Sequence, residues 1–470
     1  MYCIKNEQLK SFFMDKSNQK NDIPTTLEEL FSLTPILGKK VEVSFSAPDL
    51  SSQGGLLLMR ESENYQGFIR SMCNNIDDQR CSHLVRHSYR EMITQRVFQI
   101  AAGYEDADDC DMLRKDSILK MCCGRAPDGA DLSSQPTMSR LENKVTAREL
   151  YNIGLAFVHQ FIASYEKEPE VIILDCDDTN FDAHGEQENT LFNDYYAESC
   201  YMPLLIFEGI SGKMILPLLR PGRRNKSINI KKILIRLITL LSKYWKKTRF
   251  IVRGDSHFCS QSFMDWVREQ TRVDFITGLT GNSVLSKRCK NWVEMAQRQY
   301  KWHKTPIKFY KTFTYQAGTW EYAQKVVVKI EVGALGTNVR YVVTSIKHSN
   351  SRFLYEELYC GRGQMELYIK ELKTYLDADR TSCHRFLANQ FRLFLHAAAY
   401  VLLHGLKSVM FTGTALQNAC ILTIREKVLL TAVHIKVLKT KVKIEFPEKH
   451  PLREEMSQIL HRFMVMRQAA

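Results

Sequence analysis

The order of local periodicities between Val171 and Leu279 restricts the fold of this chain more than any other feature. Val171 to Asp177 is a short β-branched run, and Tyr201 to Phe207 and Met214 to Leu219 are two more, separated by segments holding Gly, Asn and Asp. Ile228 to Trp245 then turns to helical spacing, with Ile233, Leu234, Leu237, Ile238 and Leu241 apolar. A strand at Arg249 to Val252, a helix at Ser260 to Gln270 and a strand at Val273 to Leu279 complete the series. Three strands, then helix, strand, helix and strand, demand an α/β layer architecture.

That order is the one found in ribonuclease H-like folds, and residues 364 to 376 supply the last helix that the series lacks. The expected organisation is therefore an α/β protein with a ribonuclease H-like catalytic core in two parts, 169–280 and 353–410, interrupted by a β-rich insertion at 281–352. Lys308 to Tyr315, Lys325 to Glu331 and Val339 to Ser345 are the strand-like runs of that insertion. Residues 1–52, polar and holding Pro24, Pro35 and Pro48, read as an arm or lead-in. Residues 53–168 read as a helical region, with one long helix from Leu84 past Ile100, a shorter one at Leu113 to Cys123 and another at Thr146 to Tyr165. In the C-terminal region, 411–470, the lysine-alternating segment Ile435 to Phe446 reads as an edge strand or exposed arm.

Carboxylates stand where two of the core strands end. Asp175, Asp177 and Asp178 follow the first apolar run, with Asp175 and Asp177 on one face of an extended chain and Asp178 on the other. Asp255 follows the run Phe250-Ile251-Val252, and Glu366 lies on the final helix. Any one of them could simply end its strand and face water. Three carboxylates from two strand ends and a helix are also what a pair of Mg²⁺ ions needs, because a hard cation prefers oxygen ligands, and two such ions hold the attacking and leaving oxygens of a phosphoryl displacement.

The charge balance names the phosphoryl compound. The chain of 470 residues carries 65 basic and 52 acidic side chains, a formal charge of +13, which favours a polyanionic partner. From Arg220 to Arg253 there are twelve lysines and arginines and no acid, the footprint of a nucleic-acid surface. Membrane is the weaker alternative, since the apolar run Phe391 to Met410 contains Arg392, His396, His404 and Lys407 and reads as a buried helix. No basic segment followed by an apolar one opens the chain, and the 13 cysteines are scattered, which suits reduced thiols in a cytoplasm. Cys81, His83 and His87 lack a second ligand pair at zinc spacing and read as helix surface and core.

The stretch Tyr359 to Lys373 sets one carboxylate in a row of cations. At about 100° per residue, Tyr359, Arg362, Glu366 and Lys373 fall within roughly 60° of one another on a helical wheel, with Lys370 at the edge of the arc. By itself this is an amphipathic helix with a solvated face. Its spacing, Tyr-(2)-Arg-(3)-Glu-(6)-Lys, resembles at every position the signature of a group of DDE transposases of bacterial insertion sequences. Asp175-x-Asp177-x-Thr179 with His184-Gly185-x-Gln187 is similar to the first-Asp region of one branch of that family, and Arg253-Gly-Asp255-Ser-x-Phe258 to the second. Gly103-Tyr104-Glu105-Asp106 and Ser134-Gln135-Pro136-Thr137-x-Ser139-Arg140 also look like the family, so the resemblance covers about residues 54 to 405. Leu367 departs from it, standing where the branch commonly has Asn.

The resemblance implies that Asp177, Asp255 and Glu366 are the catalytic metal ligands, Asp177 being preferred over its rivals Asp175 and Asp178 because the family's ligand stands two residues before Thr. It implies Mg²⁺, two ions, with Mn²⁺ able to substitute. Tyr359, Arg362, Lys370, Lys373 and Arg253 are expected at the DNA. Thr137, Ser139 and Arg140 join them if the helix start at Ser134 is a recognition element and not merely a well-capped end. The expected partners are double-stranded DNA, both transposon end and target, and a second copy of the chain on that DNA, in a bacterial cytoplasm at the nucleoid. The alternatives are a ribonuclease H-like nuclease that cuts without joining, and a domesticated DNA-binding protein without catalysis.

Overall fold

The computed structural model describes residues 31–222, 230–258 and 260–469, which form two compact units. The smaller comprises the described residues up to Leu50 together with His434–Glu445. In it, Phe31–Ile36 and Lys39–Val43 pair antiparallel through a turn in which Leu37 and Gly38 both have positive φ. A second hairpin pairs Ile435 with Ile444 and Leu438 with Lys441, so the lysine-alternating segment, expected as an edge strand or exposed arm, is a pair of strands.

The larger unit, Ser51–Val433 and Phe446 onward, is mixed α/β. Its centre is one eight-stranded sheet. The strands are β1 (Val171–Asp178), β2 (Leu204–Glu208), β3 (Met214–Leu218), β4 (Arg249–Gly254), β5 (Val273–Leu279), β6 (Ile307–Tyr315), β7 (Gln324–Gly333) and β8 (Gly336–Thr344). Their spatial order is β6-β7-β8-β5-β4-β1-β2-β3. β1, β4 and β5 run parallel, while β2 and β3 return antiparallel on one side and β8, β7 and β6 on the other. The three strands expected as an insertion are therefore not a separate layer. β8 pairs with β5, Ile276 opposite Thr344, and the sheet continues through it.

The principal helices of this unit are α1 (Leu56–Gln66), α2 (Tyr89–Ala102), α3 (Gln135–Lys144), α4 (Ala147–Ala163), α5 (Ile230–Tyr244), α6 (Gln261–Arg268), α7 (Ser283–His303), α8 (Gly363–Lys370) and α9 (Phe386–Met410). α4 is set by a capping box in which Thr146 and Glu149 satisfy each other's backbone N–H groups. The apolar stripe read in α5 is real: Leu234, Leu237, Ile238 and Leu241 are buried against the sheet with Phe161, Trp245 and Phe250. α9 is long and apolar enough to cross a membrane, but it is a core helix, with 67% of its most apolar stretch inside the protein. It stacks Phe394 on Phe157 of α4 and sets Tyr400 edge-on to Phe207 of β2.

Two expectations need correction. Residues 281–352 are not β-rich throughout, because α7 fills the first 21 residues after Asn282, its Leu285, Cys289 and Ala296 buried at helical spacing. The helix expected from Leu84 starts only at Tyr89: Ser88 caps it, and Cys81 to Val85 is a 3₁₀ turn with extended flanks, so His83 and His87 share no helix face. The acidic cluster at 105–111, which follows the Gly103 cap of α2, joins two helices. Arg96 of α2 donates to the carbonyls of Tyr104 and Glu105, and Arg392 of α9 reaches Asp106 at 3.2 Å. Both arginines bind Glu142 of α3, each at 3.2 Å, so this carboxylate sits buried between two cations.

Candidate active site

The sheet brings the two Asp motifs together. β1 and β4 are adjacent and parallel, with Arg253 directly opposite Asp175. Each of the two aspartates expected to act lies two residues further on, so Asp177 and Asp255 emerge from the same edge of the sheet. Burial pushes the Asp177 carboxyl up to about 6, the positive charge of Arg362 opposes that push, and the negative charge of Asp255 adds to it. Arg362 Nη2 lies 2.7 Å from Asp177 Oδ2, and its electrostatic environment includes Asp255 as well. Asp255 Oδ2 is 2.5 Å from Nδ1 of His257, and its Oδ1 accepts the His257 backbone N–H at 2.8 Å.

The other two carboxylates of the first motif face inward. Asp175 is fully buried (0% exposed), and its Oδ1 and Oδ2 accept from Nε and Nη2 of Arg253 at 2.5 and 2.6 Å. Arg253, expected at the DNA, is 2% exposed and has no surface to offer. Its Nη1 donates to the carbonyl of Leu358 at 2.6 Å. One guanidinium thus ties β1, β4 and the segment that leads to Glu366. Two glycines make room for it: a Cβ on Gly361 would lie 2.8 Å from Arg253 Nη1, and one on Gly209 would lie 2.5 Å from Nη2. Asp178, on the opposite face as the alternation required, is paired with Arg220, which is itself buried. Arg220 and Arg253 therefore leave the row of cations read as a nucleic-acid surface, and Arg223, Arg224 and Lys226 lie outside the described residues.

The signature segment is helical from Phe353 to Tyr375, but not with one pitch. It runs as a π-helical stretch (Phe353–Tyr359), a 3₁₀ turn (Cys360–Arg362), α8 and a second π-helical stretch (Glu371–Tyr375). A wheel drawn at 100° per residue does not describe it. Tyr359 is largely buried, its hydroxyl beside Gly278 of β5. Burial holds that hydroxyl above the ordinary tyrosine value. Lys373, half-buried, donates to the carbonyl of Asn180 at 2.7 Å and lies 3.7 Å from Asp379, so its charge is already used inside the protein. Lys370 is exposed, its ammonium 5.5 Å from the Tyr375 ring.

Glu366 is exposed and makes no hydrogen bond or ion pair among the described residues. It stands one helical turn beyond Arg362. No third Asp, Glu, His or Cys joins Asp177 and Asp255 in a group that could hold a metal, among the described residues. The donor chemistry nonetheless fits a hard divalent cation. Two adjacent carboxylates, one of them raised by burial and by its neighbour, are costly together without positive charge, and Arg362 supplies part of it.

At α3, Thr137, Ser139 and Arg140 occupy the first turns of a helix with Pro136 near its start. Thr137 Oγ1 bonds the Ser134 hydroxyl and accepts from Arg140 Nη2 at 3.2 Å. The Arg253–Asp175 pair was missed in the sequence: Asp-x-Asp and Arg-x-Asp share a spacing, but only the register of β1 against β4 sets that Asp and that Arg side by side.

The family model described as transposase DDE domain group 1 matches residues 33–468. A solved structure of a piggyBac transposase synaptic complex with hairpin DNA matches 80% of this chain and 79% of that one, at 11% sequence identity and a TM-score of 0.42. No curated protein sequence matches the chain.

Proposed function

This chain belongs to the DDE transposase family, and we propose that it is an insertion-sequence transposase that binds transposon ends, cuts them by metal-dependent phosphodiester hydrolysis and joins the 3′-hydroxyl to target DNA. The observation that carries this reading is the emergence of Asp177 and Asp255 from one edge of neighbouring parallel strands, with Arg362 against them. The strand order β3-β2-β1-β4-β5, two antiparallel returns followed by parallel crossovers, supports a ribonuclease H-like core. In this reading 53–168 is the DNA-binding region, 169–280 and 353–410 form the core, and 281–352 is the insertion. Thr137, Ser139 and Arg140 contact DNA, and a homodimer pairs the two ends at the bacterial nucleoid.

Asp177 and Asp255 would hold Mg²⁺, or Mn²⁺ in its place, with Glu366 as the further ligand from α8. The metal, when bound, supplies a Lewis acid that lowers the pKa of water and stabilises the leaving oxygen. The remaining steps belong to the chain. His257 orients Asp255, and Arg253 fixes the strands and the Leu358 segment. Arg362 carries positive charge to the edge of the site, with its buried Nε–H left without an acceptor among the described residues. Tyr359 and Lys370 line the same segment, whereas Lys373 acts by holding Asn180.

The test is end cleavage by Asp177→Asn, Asp255→Asn and Glu366→Gln. Each variant is expected to bind an end-bearing duplex as the wild type does and to lose Mg²⁺-dependent cutting by at least about a hundredfold, of the order that removing a key group costs in catalysis. Normal cleavage by any of them would overturn its assignment. Strand-transfer products from a pre-cleaved end exclude the nuclease that cuts without joining, and Mg²⁺-dependent cutting excludes the non-catalytic DNA-binding protein.

A further inference from the structure

Between Gly281 and Trp320 the chain carries eight lysines and arginines and a single acid, Glu294. α7 sorts them. Leu285, Cys289 and Ala296 are buried on one side, where Trp292 meets Phe313 of β6 at 6.1 Å. At about 100° per residue, Lys287, Lys290, Arg298, Lys301 and Trp302 share the opposite side within roughly 120°. Lys290 lies 3.9 Å from Glu294, but Lys287, Lys301 and Lys304 have no acidic partner among the described residues. Trp302 is 84% exposed and makes no ring contact among the described residues. A large indole left in water at the end of a cationic ridge is unexplained by packing, since every other need of α7 is met on its buried side.

The ridge also has a place. α7 follows β5, the parallel neighbour of β4, and a Cβ on Gly278 would come within 3.0 Å of the Ser256 backbone N, beside Asp255. Asn282 caps the helix four residues later. Lys287 and Lys301 are separated by about 21 Å along the axis, the length of about six base pairs of duplex.

We propose that this face of α7 is a second DNA contact, one that begins beside the carboxylate pair and follows the duplex backbone for about six base pairs, with the Trp302 indole laid against nucleotides at its far end. The inference rests on the transposase reading, and charge complementarity with a regularly spaced polyanion favours duplex DNA over other partners. A triple variant, Lys287→Gln/Lys301→Gln/Lys304→Gln, and Trp302→Phe separate the parts. Affinity for a 30-base-pair duplex (about 100 Å) is measured without divalent metal across a salt series, and tryptophan fluorescence is followed on binding.

The triple variant is expected to weaken binding and to flatten the dependence of log K on log salt by about 2 to 3, near one unit for each phosphate that is no longer neutralised. The wild type should show a fluorescence change that Trp302→Phe lacks, with circular dichroism unchanged in both variants. An unaltered salt slope together with an unaltered fluorescence response overturns the α7 surface and leaves the transposase reading standing. A wild-type chain that binds no duplex overturns both. Binding to anionic phospholipid vesicles that only the triple variant loses, with DNA binding intact, would reassign the ridge to a membrane surface.

Discussion

Replacing Arg253 by methionine tests whether one buried guanidinium holds the elements that carry the carboxylates. Arg253 is 2% exposed and Asp175 0%, and both oxygens of Asp175 depend on it. Removing the cation alone leaves a buried carboxylate without a counter-ion, which costs about 3–5 kcal/mol. At about 1.4 kcal/mol per factor of ten, the opening equilibrium of the surrounding strands should rise by a hundred- to several-thousandfold. Native-state hydrogen exchange at the amides of Leu174 and Val252, which are paired across β1 and β4, measures it directly.

The pH dependence has a definite sign. Burial already pushes the Asp175 carboxyl up, with Arg253 opposing. Without Arg253 the folded-state value rises further above the unfolded one. The penalty is then absent below the unfolded value, near 3.9, and grows as the pH rises toward the folded one. Acid should therefore narrow the gap between Arg253→Met and wild type, and Asp175→Asn/Arg253→Met should be less destabilised than Arg253→Met alone. Protection within a few-fold of wild type in Arg253→Met at neutral pH, or a double variant worse than the single one, would refute the reasoning.

Gly361→Ala should displace the same guanidinium, because its Cβ would lie 2.8 Å from Nη1. Arg253→Lys in the same chain should relieve part of that, seen as non-additive hydrogen exchange. His404→Gln addresses the acid limb of stability. His404 Nε2 meets the Ser211 carbonyl at 2.8 Å, and burial holds the imidazole down at about 4. As pH falls from about 6.5 the unfolded chain takes a proton that the folded one refuses until about 4, so stability is lost across that window at up to about 1.4 kcal/mol per pH unit. Urea midpoints at pH 7 and pH 5 should differ less in the variant. Glu142→Gln should leave Arg96 and Arg392 buried without their shared anion, costing about 3–5 kcal/mol, and an unchanged melting temperature would deny that bridge its role.

The order of strands and helices from Val171 to Leu279, the acidic ends of β1 and β4, and the burial of α9 were all legible in the chain, because alternation and helical period report which faces must leave water. Asp177 and Asp255 could be named through the family resemblance, the strand end alone leaving Asp175 and Asp178 as rivals of Asp177. Their neighbours could not, since nothing local says that Arg253 points inward to Asp175 and Arg220 to Asp178. Charge is countable in a sequence, but whether a cation meets solvent or a buried carboxylate depends on register between strands, here joining residues 78 apart. The signature stretch shows the same division. Its spacing marked the family, yet the changes of helical pitch from Phe353 to Tyr375 put Arg362 on Asp177, Lys373 on Asn180 and Glu366 in solvent. What the sequence by itself determined is which residues could do the chemistry; which of them are spent holding the site together was decided only by the sheet, because a buried charge must find its partner across space and not along the chain.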